Sequence, residues 1–107
     1  MKILFFGPGG ILKNTLASQG YEVEEISLQE FNLLDANVVV GSDLLIITDT
    51  SDPTGVLLCK EFQPDIKTIV YSQDDLPDFL RPQIDFALDP RLFSSNMVAE
   101  ELSNLFS

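Results

Sequence analysis

The sequence contains no histidine and a single cysteine, Cys59, among its 107 residues. The absence of histidine excludes a catalytic nucleophile, a general base or a metal ligand of that type. One cysteine can form neither an internal disulfide nor a thiolate metal cluster. Cys59 stands among the apolar residues Val56, Leu57, Leu58 and Phe62, which favours a buried structural thiol over a reactive one.

The chain also lacks a long apolar run. A membrane-spanning helix needs about 20 consecutive apolar residues, and no stretch approaches that length. The first residues do not combine a charged start, an apolar core and a cleavage site. We therefore expect a soluble, cytoplasmic protein, and from its 11.9 kDa a single domain that spans residues 1–107.

Basic residues are scarce. Six lysines and arginines stand against 17 aspartates and glutamates, which gives a net charge of −11. Such a negative field repels phosphate backbones and anionic lipids, so we expect neither nucleic acid nor a membrane as partner. A protein with a basic surface is the better candidate, although the charge also serves solubility. An acidic mimic of nucleic acid is an alternative that rests on charge alone.

What the sequence does contain is a series of short apolar runs bounded by turn residues. Runs of this kind are typical of strands in a parallel sheet that is buried on both faces. Five strands are predicted, at residues 1–6, 21–26, 43–49, 67–72 and 84–88. The third run ends at Asp49, and the carboxyl edge of an open α/β sheet is where ligands bind.

Helical patterns separate these strands. Helix caps, apolar spacing and glycine or proline stops predict five helical segments. The first runs from Leu12 to a stop at Gly20, and the second begins at the capping box of Ser27 and Glu30. The third begins at Asp52 and Pro53 and runs to about Phe62. The fourth covers residues 76–80 and ends before Pro82, and the fifth runs from Met97 to Phe106. Strands that alternate with helices predict a doubly wound three-layer α/β sandwich.

The element order and five positions resemble the receiver domains of bacterial response regulators. The matching residues are Asp49, Pro53, Gly55, Ser72 and the step Asp89-Pro90. The resemblance implies a flavodoxin-like, five-stranded parallel sheet of order 2-1-3-4-5. It also implies that Asp49 is the equivalent of the phosphoacceptor and that Ser72 is the hydroxyl that contacts the phosphoryl group.

Two positions depart from that family. Receivers carry an acidic pair after the first strand that helps to hold Mg²⁺, and this chain has Phe6, Gly7 and Pro8 there. Receivers also carry a lysine where this chain has Asp89, a change of two charge units against a phosphoryl group. One charge at about 4 Å is worth about 4 kcal/mol at an effective dielectric constant of about 20. The chain therefore resembles a degenerate receiver, a pseudo-receiver, which implies signalling by protein contact with no enzymatic activity and no cofactor.

Two further alternatives stay open. Asp49 could accept a phosphoryl group with an atypical Mg²⁺ site that other acidic loops supply. The loop of Gly7, Gly9 and Gly10 leaves a strand and enters a helix, an arrangement that binds anions or nucleotides. Leu12 stands where a dinucleotide loop has its third glycine, and a P-loop's Gly-Lys-Ser/Thr order is missing, so a tight turn is favoured.

The resemblance also implies a partner-binding face. It comprises the fourth helical segment, the fifth strand and the last helix, and includes Leu76, Phe79, Leu80 and Arg81. The same face could build a homodimer. Phe86 lies near the aromatic residue that changes its exposure when receivers are activated, and without that switch we expect it in the core or in a fixed binding face.

Overall fold

The structure is a computed structural model that describes residues 1–26, 41–49, 57, 60–61, 63–73 and 78–105. Its strands are β1 (Lys2–Phe6), β2 (Glu22–Ile26), β3 (Leu44–Ile47), β4 (Lys67–Tyr71) and β5 (Phe86–Leu88). They form one parallel sheet of order β2-β1-β3-β4-β5. The predicted doubly wound sheet and its order are therefore confirmed.

The central strands are apolar along almost their whole length. Residues 3–6 of β1 and all of β3 are buried. A strand is buried along its length only when both faces of the sheet are covered, which is why these runs show no polar alternation. β2 lies at one edge, where Glu22 and Glu24 stay exposed.

Helix α1 (Gly10–Ser18) ends at a cap, and helix α2 (Ser95–Leu105) begins at one. Gly20 stops α1, as predicted: its φ is +95°, and the amides of Gly20 and Tyr21 donate back to carbonyl oxygens of the last turn. Ser94 caps α2 by accepting the amide of Met97 on its hydroxyl oxygen at 3.3 Å. Local sequence chemistry therefore sets these helix boundaries.

Both helices pack against the same face of the sheet. Leu12 and Leu16 of α1 lie in one buried cluster with the residues of α2 that face inward. The other members are Ile3, Phe5, Leu44, Ile46, Ile69, Val98, Ala99 and Leu102. This core fixes α2 beside β4 and β5, the position on which the groove described below depends.

The predicted start of β5 is wrong by two residues. The strand begins at Phe86, because Ile84 and Asp85 close the preceding turn. The amide of Ile84 donates to the carbonyl oxygen of Arg81, and the carboxylate of Asp85 accepts the amide of Thr68 at 2.7 Å. Turn contacts of this kind outweigh the apolar pattern of the run.

The prediction that a helical segment ends before Pro82 is wrong, because Pro82 lies inside a 3₁₀ segment, Asp78–Gln83. A 3₁₀ segment accepts proline because its φ of about −50 to −70° matches the fixed proline φ of about −65°. The segments predicted from Ser27 and from Asp52 lie wholly or mostly outside the described residues. Within the described ranges no helix is long and apolar enough to cross a bilayer.

Candidate functional site

The carboxyl ends of β1 and β3 meet at the predicted site. The amides of Thr48 and Asp49 both donate to the carbonyl oxygen of Phe6, at 3.0 and 3.4 Å. The end of β3 is thereby held against the end of β1. Asp49 is exposed at this edge, which is where open α/β sheets place their ligands. Its role as a phosphoacceptor equivalent stays a prediction.

Gly7 closes the same edge from the β1 side. Its φ is +107°, a backbone conformation that residues with a Cβ rarely adopt. A Cβ at this position would lie 2.5 Å from Thr48 Oγ1 and 2.9 Å from Asp49 Cβ. The backbone after β1 therefore has no room for a carboxylate side chain at Gly7.

Among the described residues, no cluster of metal-ligating side chains surrounds Asp49. Mg²⁺ requires a near-octahedral oxygen shell, usually with one or two protein carboxylates. In the described part of the chain, no three acidic, histidine or cysteine side chains come together as metal ligands. Asp52, Asp74 and Asp75, which could supply an atypical site, lie outside the described residues, as do Pro53, Gly55 and Cys59.

The glycine loop already holds an anion of the chain itself. The amide of Gly9 donates to Glu25 Oε2 at 3.1 Å, and Lys13 Nζ lies 3.5 Å from the same oxygen. Glu25 comes from β2, so its carboxylate reaches the amino-terminal turn of α1, where negative charge is favourable. This internal contact supports the tight-turn interpretation of Gly7, Gly9 and Gly10 over a phosphate site.

The ends of β4 and β5 also lie side by side. The amide of Ser72 donates to the carbonyl oxygen of Leu88 at 3.3 Å, and Ser72 is half-buried. The preceding residue, Tyr71, points to the α1–α2 side of the sheet, where its hydroxyl donates to the carbonyl oxygen of Phe93 at 2.6 Å. This bond ties the loop after β5 to the sheet. The predicted phosphoryl contact of Ser72 stays a prediction.

Asp89 is not the isolated negative charge that the sequence suggests. Arg91 Nη2 lies 2.7 Å from Asp89 Oδ2, and the amide of Arg91 donates to Oδ1 at 2.8 Å. Arg91 therefore offsets the negative charge that the sequence places at this position. Sequence analysis missed Arg91 because a pair of residues two apart in a turn matches neither helical nor strand spacing.

We expect Arg91→Gln to raise the pKa of Asp89 toward its ordinary value. The side-chain and amide hydrogen bonds from Arg91 hold the pKa of Asp89 below 3.8 in the folded protein. The pair therefore stabilises the fold above that value, and the stabilisation is lost as the pH falls through the lower folded pKa. A carboxyl ¹³C NMR titration measures the shift. Arg81→Gln breaks a comparable exposed pair with Asp78 and is the control; an Asp89 titration that Arg91→Gln leaves unchanged would contradict the assignment.

The predicted partner face is wrong at Leu80. Leu80 is 1% exposed and belongs to the core, so it cannot contact a partner directly. In a 3₁₀ segment, residues three apart share a side, and Asp78 and Arg81 occupy the outer side, where they pair at 3.2 Å. Leu76 lies outside the described residues, and the side chain of Phe79 is not described.

Phe86 is 45% exposed, which excludes the core alternative for this residue. Phe86 and Leu88 face α2 across a cavity of about 120 Å³. The remaining lining residues are Ile69, Phe93, Val98, Glu101 and Leu102. We call this cavity the β5–α2 groove. Sequence analysis missed it, because periodicity does not show how far a helix covers the edge strand beside it.

Comparison with known proteins defines the family and the fold. No curated protein matches the chain in sequence. The model of a family of unknown function, DUF7126, matches residues 5–102. HP1043, an orphan response regulator of H. pylori, is 18% identical with a TM-score of 0.72 over 97% of this chain and 94% of that chain. BPSS2195 of Burkholderia pseudomallei K96243, described as pilus assembly-related, is 15% identical with a TM-score of 0.67 over 97% of this chain and 87% of that chain.

Proposed function

We propose that this chain, which belongs to the family of unknown function DUF7126, is a receiver-like module that acts through protein contacts without phosphorylation. The observation that carries the proposal is the packing of Gly7 against Thr48 and Asp49. Phosphoryl transfer depends on metal ions that neutralise the developing charge. Because a side chain at position 7 would clash with Thr48 and Asp49, this position cannot supply a carboxylate to such a metal.

The charge distribution supports a cationic protein as partner. Four of the chain's six cations already pair with its own carboxylates, namely Lys2 with Glu24, Lys13 with Glu25, Arg81 with Asp78 and Arg91 with Asp89. If each of the six cations is matched with one carboxylate, 11 carboxylates remain, which is the origin of the net charge of −11. Complementary charge raises association rates and suppresses wrong partners. An anionic ligand, including nucleic acid, meets few unpaired cations on this surface.

The likeness to an orphan response regulator supports a role in signalling only through the shared fold. Doubly wound folds host many unrelated functions, so the site has to carry the argument. By the resemblance, Asp49 and Ser72 stand where a receiver has its acceptor aspartate and its hydroxyl, and Gly7 stands in place of an acidic residue. In the structure Gly7 packs against Asp49, and Arg91 pairs with Asp89. This combination favours a module that keeps the receiver scaffold as a platform for binding.

We expect neither Mg²⁺ nor beryllofluoride, which mimics an aspartyl phosphate, to shift the backbone amide resonances of the wild-type protein. The reason is that Gly7 leaves no room for a carboxylate beside Asp49, and the mimic depends on a bound metal. An amide NMR titration of wild type and Asp49→Asn makes the measurement, with a working receiver in the same buffer as positive control. Saturable shifts that spread from Asp49 and Ser72 to α2, and vanish in Asp49→Asn, would sink the proposal and establish a phosphoacceptor.

A further inference from the structure

We propose that the β5–α2 groove binds a protein segment that presents one bulky apolar side chain next to a lysine or arginine. This inference rests on the proposed function, since it names where the module binds and what chemistry it selects. It is carried by the shape of the groove, the exposed apolar surface beside it and the charge of Glu101, one of the described residues that line it.

The size and lining of the groove suit one apolar side chain. Of the seven lining residues that the structure describes, six are apolar, and the volume of the groove is about 120 Å³. An apolar cavity of roughly 150 Å³ can hold a benzene molecule, so this groove suits a leucine, methionine or phenylalanine side chain. Its floor belongs to the core, because Ile69, Val98 and Leu102 are buried in the cluster shared with α1. The floor is therefore rigid and preformed.

The rim of the groove keeps apolar surface in contact with water. Phe86 stands on β5, and Met97 lies one turn before Glu101 on α2 and is 46% exposed. Single exposed apolar residues are ordinary on protein surfaces, but here Phe86 lines an apolar cavity and Met97 lies one helical turn from another lining residue. Aromatic residues and methionine are the types enriched at the centres of protein interfaces. A partner that covered both would remove this surface from water.

Glu101 selects the charge of the partner. It is exposed and, among the described residues that line the groove, it is the one that carries a charge. In the described part of the chain no lysine or arginine pairs with it, because the four ion pairs found there use other carboxylates. A lysine or arginine beside the anchoring apolar side chain would therefore find a carboxylate at the rim.

The charge of the chain argues against a second copy in the groove. Two copies would bring a net charge of −11 each into contact, and like charges disfavour association. The chain's own basic and apolar neighbours, Arg91 and Leu92, resemble the proposed ligand. However, Arg91 is already bound to Asp89 through its side chain and its amide. A basic partner is thus the occupant that the surface favours.

The test selects short peptides from a random displayed library against the full chain and maps each selected peptide by NMR titration. We expect enrichment of a bulky apolar residue beside lysine or arginine, with shifts at Phe86, Leu88 and Leu102. Glu101→Lys should weaken binding about tenfold, because it replaces attraction by repulsion at the rim. Glu100→Lys makes the same charge change on the exposed neighbouring residue and should leave the affinity unchanged. Phe86→Ser removes the aromatic side chain from the wall of the groove without changing the net charge, and so it tests the apolar contact alone.

Three results would overturn the inference. The first is a library that yields no binding peptide. The second is a dimer in sedimentation experiments that Phe86→Ser dissociates, and the third is a set of selected peptides whose shifts map elsewhere, for instance to Ile11 and Asp49. Peptides that map elsewhere would still leave the proposed function standing. Failure of the proposed function has a different signature, namely binding that occurs only after addition of Mg²⁺ and beryllofluoride.

Discussion

Gly7→Ala destabilises the protein by about 3 kcal/mol, because the substitution adds both backbone strain and a steric clash. At a φ of +107° a residue with a Cβ is strained wherever it stands. The new Cβ would also lie 2.5 Å from Thr48 Oγ1, so the ends of β1 and β3 must separate. Urea unfolding of wild type and variant, followed by circular dichroism, measures the loss.

The control for this prediction is Gly10→Ala. Gly10 also has a positive φ, +54°, but a Cβ there meets no atom within 4 Å. We expect it to cost about 1 kcal/mol, from backbone strain alone. Equal losses in the two variants would show that Gly7 is not crowded, and the argument that this edge excludes a carboxylate would fail. Gly7→Asp, which restores the acid of a receiver, should be as unstable as Gly7→Ala and should gain no Mg²⁺ binding.

Leu16→Ala destabilises the protein by about 3 kcal/mol, within the 2–5 kcal/mol that such truncations cost in packed cores. Leu16 is fully buried and belongs to the cluster that joins α1, the sheet and α2. Truncation removes favourable burial and leaves a cavity that the surrounding strands fill only in part. Thermal and urea unfolding should both report the loss.

Ile11→Ala is the matched control for Leu16→Ala, because it also removes methyl groups from α1. Ile11 is 77% exposed, so we expect a change in stability within about 0.5 kcal/mol. A large loss in Ile11→Ala would mean that a neighbouring surface covers this residue. Comparable losses in both variants would contradict the one-sided packing of α1.

The strands and the end of α1 could be predicted from the sequence because each depends on neighbouring residues. The apolar runs that became β1 and β3 lack polar alternation, as strands covered on both faces do. Gly20 ends α1 because its backbone has no Cβ to strain. The sheet order came from the likeness of Asp49, Ser72 and Asp89-Pro90 to a receiver, and the structure confirms it.

The boundaries and roles that were wrong depend on contacts between elements. The apolar pattern assigned Ile84 to β5, but its amide donates to the carbonyl oxygen of Arg81 and closes a turn there. The sequence analysis placed Leu80 on a partner-binding face, but the 3₁₀ segment directs its side chain into the core. The sequence allowed Phe86 to lie either in the core or in a binding face. The position of α2 beside the edge strand decides between the two, because it leaves Phe86 exposed. Sequence periodicity gives no distances between elements, so it could not determine the start of β5 or the exposure of Leu80 and Phe86.

By itself the sequence determined the acidic charge, the absence of histidine chemistry and the local elements, because these follow from composition and from interactions within a few residues. Only the tertiary structure decided the character of the site. The contact of Gly7 with Thr48 and Asp49 and that of Glu25 with Gly9 join residues far apart in the chain, and the Arg91 pair forms in a turn without periodic signal. Such contacts depend on how the strands pack, so they become visible only once the sheet is assembled.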